Sequence, residues 1–412
     1  MNTQKVTNAI IEGIKNVGVG KKGSKPCSPE LVSTICSEVS ADVINRAALG
    51  AFYGALYMKG VEEAEQPLIE ALSADAHMGA EQFISALFSE APAQIEDFAV
   101  ALLNEKSLST TDAEVLGNYL FADNANETAK GFFASVLRVK YETIDEYCGL
   151  LNAMRNASCD MNQIFPNTDK LVQLAEPFDG MNRSYLLTPI IGKMLTDRGY
   201  DALNLVGRSS GPKFGTNLLS IADNINSKFI QKDFPVSSSS NAYYLTQKEL
   251  SPAIDGWVET RISTIKRPFL ATLEKLVNPC NAQIGFFSAF HAPYAEKMVD
   301  LALLNGFKGA ISVFKSMEGS LGLATGRACQ MICGVRTDDG QIIKETFEFS
   351  PEEFGLDMYD DKKLEDVTPQ NNASLINSYL GNGSSGDEYF DARAQFTVAA
   401  YQKALDWIEN VE

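Results

Sequence analysis

Apolar residues recur at helical spacing through the first 160 residues, and capping side chains mark where several helices begin. Ser28-Pro29-Glu30, Ser40-Ala41-Asp42 and Thr110-Thr111-Asp112 each place an oxygen acceptor ahead of a first turn. Beyond residue 160 the texture changes to short apolar runs alternating with amphipathic segments. Runs at 202–206, 282–287, 309–314, 328–335 and 342–349 read as strands, and 186–197, 216–226, 269–276, 293–304, 373–380 and 391–408 read as helices. This alternation predicts an α/β domain with a mostly parallel central sheet flanked by helices, preceded by an all-helical domain. The stretches 237–241 and 381–386 read as loops, too short to link independent domains.

The helical part is duplicated. Residues 28–72 and 109–153 are two copies of one unit set 81 residues apart: Ser28, Ala41, Asp42, Gly50, Phe52, Leu56 and Lys59 recur as Ser109, Ala122, Asp123, Gly131, Phe133, Leu137 and Lys140. An acidic stretch follows each lysine, and a repeat of this length is one supersecondary unit used twice. The glycine- and lysine-rich loop 17–25 of the first copy is replaced by the shorter 104–107 in the second. Lacking a strand ahead of it, this loop reads as a surface connection rather than a phosphate loop. The expected division is 1–92, an extra helical unit; 93–160, the second helical copy; and 161–412, the α/β domain.

At 412 residues the chain has the length of two or three domains, and its 45% hydrophobic and 21% charged content is that of a soluble globular protein. A formal charge of −18 argues against nonspecific binding to nucleic acid or anionic membrane, which depends on Lys and Arg neutralising phosphate. The acidic run from Glu345 to Asp366 reads as a solvated surface. Seven cysteines at wide spacings, with no C-x-x-C and only two histidines, read as reduced thiols rather than a zinc site. The first residues lack an apolar core followed by a cleavage site, and the apolar stretch 47–58 is too short to span a bilayer. These features predict a cytoplasmic protein.

Four loops carry the residues suited to chemistry. Phe178-Asp179-Gly180-Met181-Asn182-Arg183-Ser184 precedes a helix, where backbone N–H groups and Arg183 suit an anion. Gly207-Arg208-Ser209-Ser210-Gly211-Pro212-Lys213-Phe214-Gly215 joins a strand to a helix with glycines, hydroxyls and two cations, a composition suited to phosphate but without Walker or dinucleotide spacing. Lys266-Arg267 precedes another helix and suits a carboxylate or phosphate. Phe314-Lys315-Ser316-Met317-Glu318-Gly319-Ser320 leaves a strand end, where Glu318 suits a ligand or metal contact. His291 opens a helix and reads as a capping or packing residue rather than a catalytic one.

Taken in order, these segments resemble the anthranilate phosphoribosyltransferase family, which shares its fold with the pyrimidine nucleoside phosphorylases. The resemblance runs from about residue 93 to the C-terminus and is densest in the helices at 103–107, 109–120, 134–143 and 150–154. It implies a small helical domain beside the α/β domain, with substrates bound between them, and a homodimer formed through the helical domain. It places Gly180 where the first diphosphate loop begins and Gly207, Arg208 and Ser209 on the second; beside them Asn182, Arg183, Ser210 and Lys213 read as further phosphate donors, the cations standing in for missing metal ligands. Arg267 looks like the arginine that meets the acceptor carboxylate, and Glu318 falls on the loop of the magnesium-binding acids. The implied donor is a small phosphorylated metabolite such as phosphoribosyl pyrophosphate or a nucleotide, with Mg2+ as cofactor. The chain departs from the family in three places. Of the first loop's Gly-Thr-Gly-Gly-Asp only Gly180 remains; Leu205 and Val206 stand where the second loop has Lys-His; and no Asp-Glu pair follows Ser320. Two readings stay open: a divergent glycosyl or phosphoribosyl transferase, and a non-catalytic binding protein that kept the fold.

Overall fold

Thr7, Ser28 and Asn45 start the first three helices: each side chain accepts a hydrogen bond from a backbone N–H of the first turn, opening α1 (Asn8–Val17), α2 (Pro29–Ser40) and α3 (Arg46–Lys59). The computed structural model describes residues 5–20, 23–72, 79–88, 90–165, 168–236 and 241–411. Lys21, Lys22 and the serines 237–240 of two loops named above lie outside them. After α4 (Gln66–Glu70), α5 (Ala80–Phe88) and α6 (Ala93–Leu103), the caps repeat. Ser109, Asn126 and Thr143 open α7 (Thr110–Leu120), α8 (Glu127–Lys140) and α9 (Ile144–Asn156).

The duplication governs how this half packs. α3 and α8 are buried on nearly every face and cross each other in close contact. A Cβ on Gly50 would lie 1.9 Å from the Thr128 carbonyl oxygen, and one on Gly131 would lie 1.8 Å from that of Ala47. Both residues of the first contact, taken in the other copy, make the second, so the interface has an internal two-fold of the kind found between identical subunits. A buried ion pair is duplicated in the same way. Lys59 lies 2.6 Å from Glu65, which also accepts from Cys27 and Glu62 N–H; Lys140 lies 3.0 Å from Glu146, which accepts from Leu108 and Thr143 N–H.

The second half begins with β1 (Leu171–Ala175), α10 (Thr188–Asp197), β2 (Asp201–Val206), α11 (Leu218–Ala222), β3 (Lys228–Phe229), β4 (Ala242–Thr246) and α12 (Gln247–Leu250). It continues through α13 (Pro252–Thr264), α14 (Leu270–Leu276), β5 (Ile284–Ser288), α15 (Ala292–Leu304), β6 (Gly309–Phe314), β7 (Cys329–Arg336), β8 (Ile342–Phe349), α16 (Pro369–Asn382) and α17 (Glu388–Asn410). Among the described residues these strands form one sheet in the order β3-β4-β2-β1-β5-β6-β7-β8, parallel from β3 to β6 and antiparallel at β7 and β8. Its central strands are buried along their whole length, as parallel strands covered on both faces are. Phe286 of β5 stacks on Tyr401 of α17, their centroids 5.0 Å apart, within a core that includes Leu174, Ile311, Val313, Phe396 and Leu405.

The fold class read from the sequence is the one observed. β6 and β8 have the expected bounds, whereas β1, β3, β4 and the helix α13 lie outside the expected elements. The helix expected at 216–226 is limited to Leu218–Ala222, with the Asn217 side chain capping it, and α16 extends through Gly381 into the expected loop. The chain divides into two compact units, residues 1–157 with 256–273, and 158–255 with 274–412. Within the first unit, Trp257 anchors the later segment: its indole N–H donates to the Leu120 carbonyl, and its ring meets Phe121 and Phe269 edge-on. Among the described residues no helix is long and apolar enough to cross a membrane, and all seven cysteines are free thiols.

Candidate functional site

In the second unit β1 stands between β2 and β5, and the chain order runs away from it in both directions. At such a switch point the loops leaving the carboxyl ends of the strands diverge, and ligands bind outside them. Three of the loops singled out leave this end of the sheet: 176–187 after β1, 207–217 after β2 and 315–323 after β6.

The first two loops are laced together. Met181 and Thr216 exchange backbone hydrogen bonds of 2.8 and 3.0 Å, and Gly215 N–H donates to the Asp179 carbonyl at 2.9 Å. The buried Asn217 amide donates to Phe178 O at 3.1 Å and Gly207 O at 2.8 Å, joining both strand ends. A Cβ on Gly180, whose φ is +73°, would meet the carbonyl oxygens of Gly215 and Thr216 at 2.6 Å, and one on Gly207 would strike the Phe178 ring at 2.4 Å. The open faces of these glycines are therefore filled by the neighbouring chain.

The third loop reaches the first through Glu318. One carboxylate oxygen, Oε1, accepts from Arg183 N–H at 2.6 Å and from the Ser184 hydroxyl at 3.4 Å. The other, Oε2, accepts from Asn182 N–H at 3.2 Å and from the Lys213 ammonium at 3.1 Å. Lys213 also donates to Gly180 O at 3.3 Å and Glu318 O at 3.2 Å. Five residues read separately from the sequence (Gly180, Asn182, Arg183, Lys213 and Glu318) thus meet in one cluster. The Arg183 guanidinium is exposed and has no partner among the described residues.

Glu176, the residue after β1, was not read from the sequence. It is almost fully buried and accepts from the Thr188 hydroxyl at 2.5 Å and from Leu321 N–H at 3.1 Å to each oxygen. Burial pushes its carboxyl up to about 7, against the opposing effects of these hydrogen bonds and of Lys275 and Lys213. Three further side chains hold the same loop. Tyr401 donates to Leu321 O at 3.1 Å, Thr397 accepts from Leu323 N–H at 3.0 Å, and the buried Arg393 donates to Leu323 O at 3.1 Å.

The remaining candidates are placed elsewhere. Arg208 turns to Asp255, which it meets at 3.0 Å, and donates to that residue's carbonyl at 2.8 Å. The Ser209 hydroxyl donates to Gly215 O at 3.0 Å, closing its own loop, and the buried Ser210 hydroxyl has no hydrogen-bond partner among the described residues. Arg267 belongs to the helical unit, between α13 and α14. Its neighbour Lys266 packs its ammonium against Gly18, where burial pulls it down to about 7 and no hydrogen-bond partner among the described residues meets it. His291 stands at the N-cap position of α15 but its side chain makes no capping hydrogen bond; its ring packs edge-on against Phe290.

Among the described residues no three His, Cys, Asp or Glu side chains cluster as metal ligands. Glu318 faces a cation and two N–H groups, surroundings that repel Mg2+, so the residues do not fit a protein-held magnesium in this arrangement.

No protein-family model matches the chain. It is 24% identical to an uncharacterized protein of Aquifex aeolicus over 310 residues, which span 75% of this chain and 91% of that one. It is also 24% identical to the anthranilate phosphoribosyltransferase of Ruminiclostridium cellulolyticum over 300 residues, 71% and 83% of the two chains. Among solved structures it is similar to the anthranilate phosphoribosyltransferase of Saccharomyces cerevisiae in complex with PRPP and Mg. That match has a TM-score of 0.58 at 13% identity and covers 77% of this chain and 90% of the other.

Proposed function

We propose a function from the premise that the chain is a divergent relative of the anthranilate phosphoribosyltransferases: it is a phosphoribosyltransferase-like protein that binds a phosphorylated ribose at the carboxyl ends of β1 and β2. The observation that carries this reading is the convergence of Asn182 N–H, Arg183 N–H, the Ser184 hydroxyl and the Lys213 ammonium on one carboxylate. A set of donors that holds a carboxylate also suits a phosphate oxygen. In the transfer this implies, an acceptor nitrogen attacks the anomeric carbon while diphosphate leaves. The protein's share is to orient both partners and stabilise the charge that develops on the leaving group. Lys213 and the unpaired Arg183 supply positive charge, the N–H groups supply directed donors, and the resemblance gives Arg267 to an acidic acceptor. No step is routed through magnesium. The changed loop residues argue against anthranilate as the acceptor.

The filled glycine faces and the engaged Glu318 favour the second reading, a non-catalytic nucleotide- or phosphometabolite-binding protein on the same fold. Cytoplasmic location and the homodimer implied by the resemblance belong to the same proposal. Calorimetric titration with phosphoribosyl pyrophosphate, with and without magnesium, tests donor binding. Binding followed by diphosphate release with an aromatic acid supports the transferase, and binding without turnover against a panel of nitrogen acceptors supports the binding protein. No binding in either condition removes phosphoribosyl pyrophosphate as the donor and leaves the binding-protein reading, with a nucleotide or another phosphorylated metabolite as its ligand.

A further inference from the structure

We propose that Glu318 is a built-in ligand of the 182–184 loop: its carboxylate holds the position of a phosphate oxyanion, and a phosphate or diphosphate group enters by displacing it. The proposal rests on the phosphate-binding reading above and adds what controls access to that site.

Three features support it. The first is the surroundings of the carboxylate. Its two oxygens share two successive backbone N–H groups, a hydroxyl and an ammonium, which is the environment of a bound anion. The Lys213 ammonium at 3.1 Å supplies the countercharge such an anion needs. The second is the backbone that delivers it. Glu318 has φ of +50° and Gly319 +79°, and a left-handed glutamate is uncommon, a departure of the kind concentrated at functional sites. The third is that the loop does not depend on this contact for its shape. Glu176, Tyr401, Thr397 and Arg393 already fix its backbone at Leu321 and Leu323. The carboxylate of Glu318 is therefore free to leave while the loop stays in place.

A tethered carboxylate competes at an effective concentration on the order of millimolar. Apparent affinity for an incoming anion falls in proportion to the fraction of time the nest is open, so a nest open less than about a tenth of the time weakens binding by about tenfold or more. The side chain is the plug, and removing it exposes the site.

The test is calorimetric titration of the full chain with inorganic diphosphate, without magnesium. Glu318→Ala should bind diphosphate at least about tenfold tighter than the parent, and Glu318→Ala with Lys213→Ala should lose that gain. Glu318→Gln, which keeps the side-chain volume and a hydrogen-bond acceptor but not the charge, should also gain affinity and decides the matter if the alanine variant does not fold. Diphosphate binding to both single variants no tighter than to the parent overturns the proposal. Phosphoribosyl pyrophosphate separates the two levels. If it binds the parent with magnesium and Glu318→Ala weakens it, the plug is refuted and the transferase reading stands. If it binds neither protein while diphosphate binding improves in Glu318→Ala, the donor assignment fails and the plug stands.

Discussion

Gly131→Ala should destabilise the helical unit even though alanine is the better helix former. The new Cβ would lie 1.8 Å from the Ala47 carbonyl oxygen and 2.5 Å from its carbon, and bringing the oxygen to 3.0 Å requires more than an ångström of separation between α3 and α8. A carbonyl fixed within a helix cannot rotate aside as a side chain can. The overpacking cost therefore falls at the upper end of about 1–3 kcal/mol. Replacing glycine within a helix returns about 1 kcal/mol. The expected net loss is about 2 kcal/mol. The chain has two tryptophans, Trp257 in the helical unit and Trp407 on α17, so urea unfolding followed by Trp257 fluorescence in a Trp407→Phe background reports on the helical unit. Gly50→Ala, which strikes Thr128 O at 1.9 Å, should cost a similar amount. The double variant should lose clearly less than the sum, because one separation of the helices relieves both clashes. Gly54→Ala, whose Cβ first meets the side chains of Phe132 and Val136 at 2.8 Å, should cost less than either. If Gly131→Ala is as stable as the parent, or if the two losses add fully, the close two-fold contact is refuted.

Two pH effects follow from buried groups. Folding raises the Glu176 carboxyl from 4.5 to about 7, so the native state holds its proton more tightly and stability falls as pH rises through that window; Glu176→Gln should flatten this part of the stability–pH curve, measured by urea midpoints from pH 4 to 8. Lys266 behaves in the opposite sense: its ammonium drops from 10.5 to about 7, the unfolded state binds more protons between those values, and stability should rise with pH from 7 to 10. Lys266→Met should remove that rise and increase the midpoint at pH 7, and an unchanged slope would refute the burial of this amine.

The parts of the fold legible in the sequence were those with a marked period or composition. The duplicated helices were visible because Gly50, Phe52 and Lys59 recur with their apolar neighbours. β1 gives no sequence signal because a five-residue apolar strand buried on both faces has no alternation to separate it from helix or loop. In the site, loops rich in glycine and charge were found one at a time, but their joining was not. Glu176 meets Leu321, 145 residues away, and no local spacing announces such a pair. Arg208 had the right composition around it, yet Asp255, 47 residues on, claims its side chain. The glycines suit a phosphate by composition, whereas Gly180 and Gly207 each pack against the other loop.

A surface that pairs with itself across two identical subunits must satisfy both sides with one sequence, so every change is made twice. Here both halves are written separately along a single chain, and that restriction is lifted. Thr128 already stands where the first copy has Ala47, and Leu108 where it has Cys27, while the close glycine contacts and the lysine–glutamate pair persist on both sides. Each copy can drift towards its own surroundings as long as the shared seam is kept. The seam is then the part of the helical half least free to vary, and the outer faces are where two descendants of one unit acquire different work.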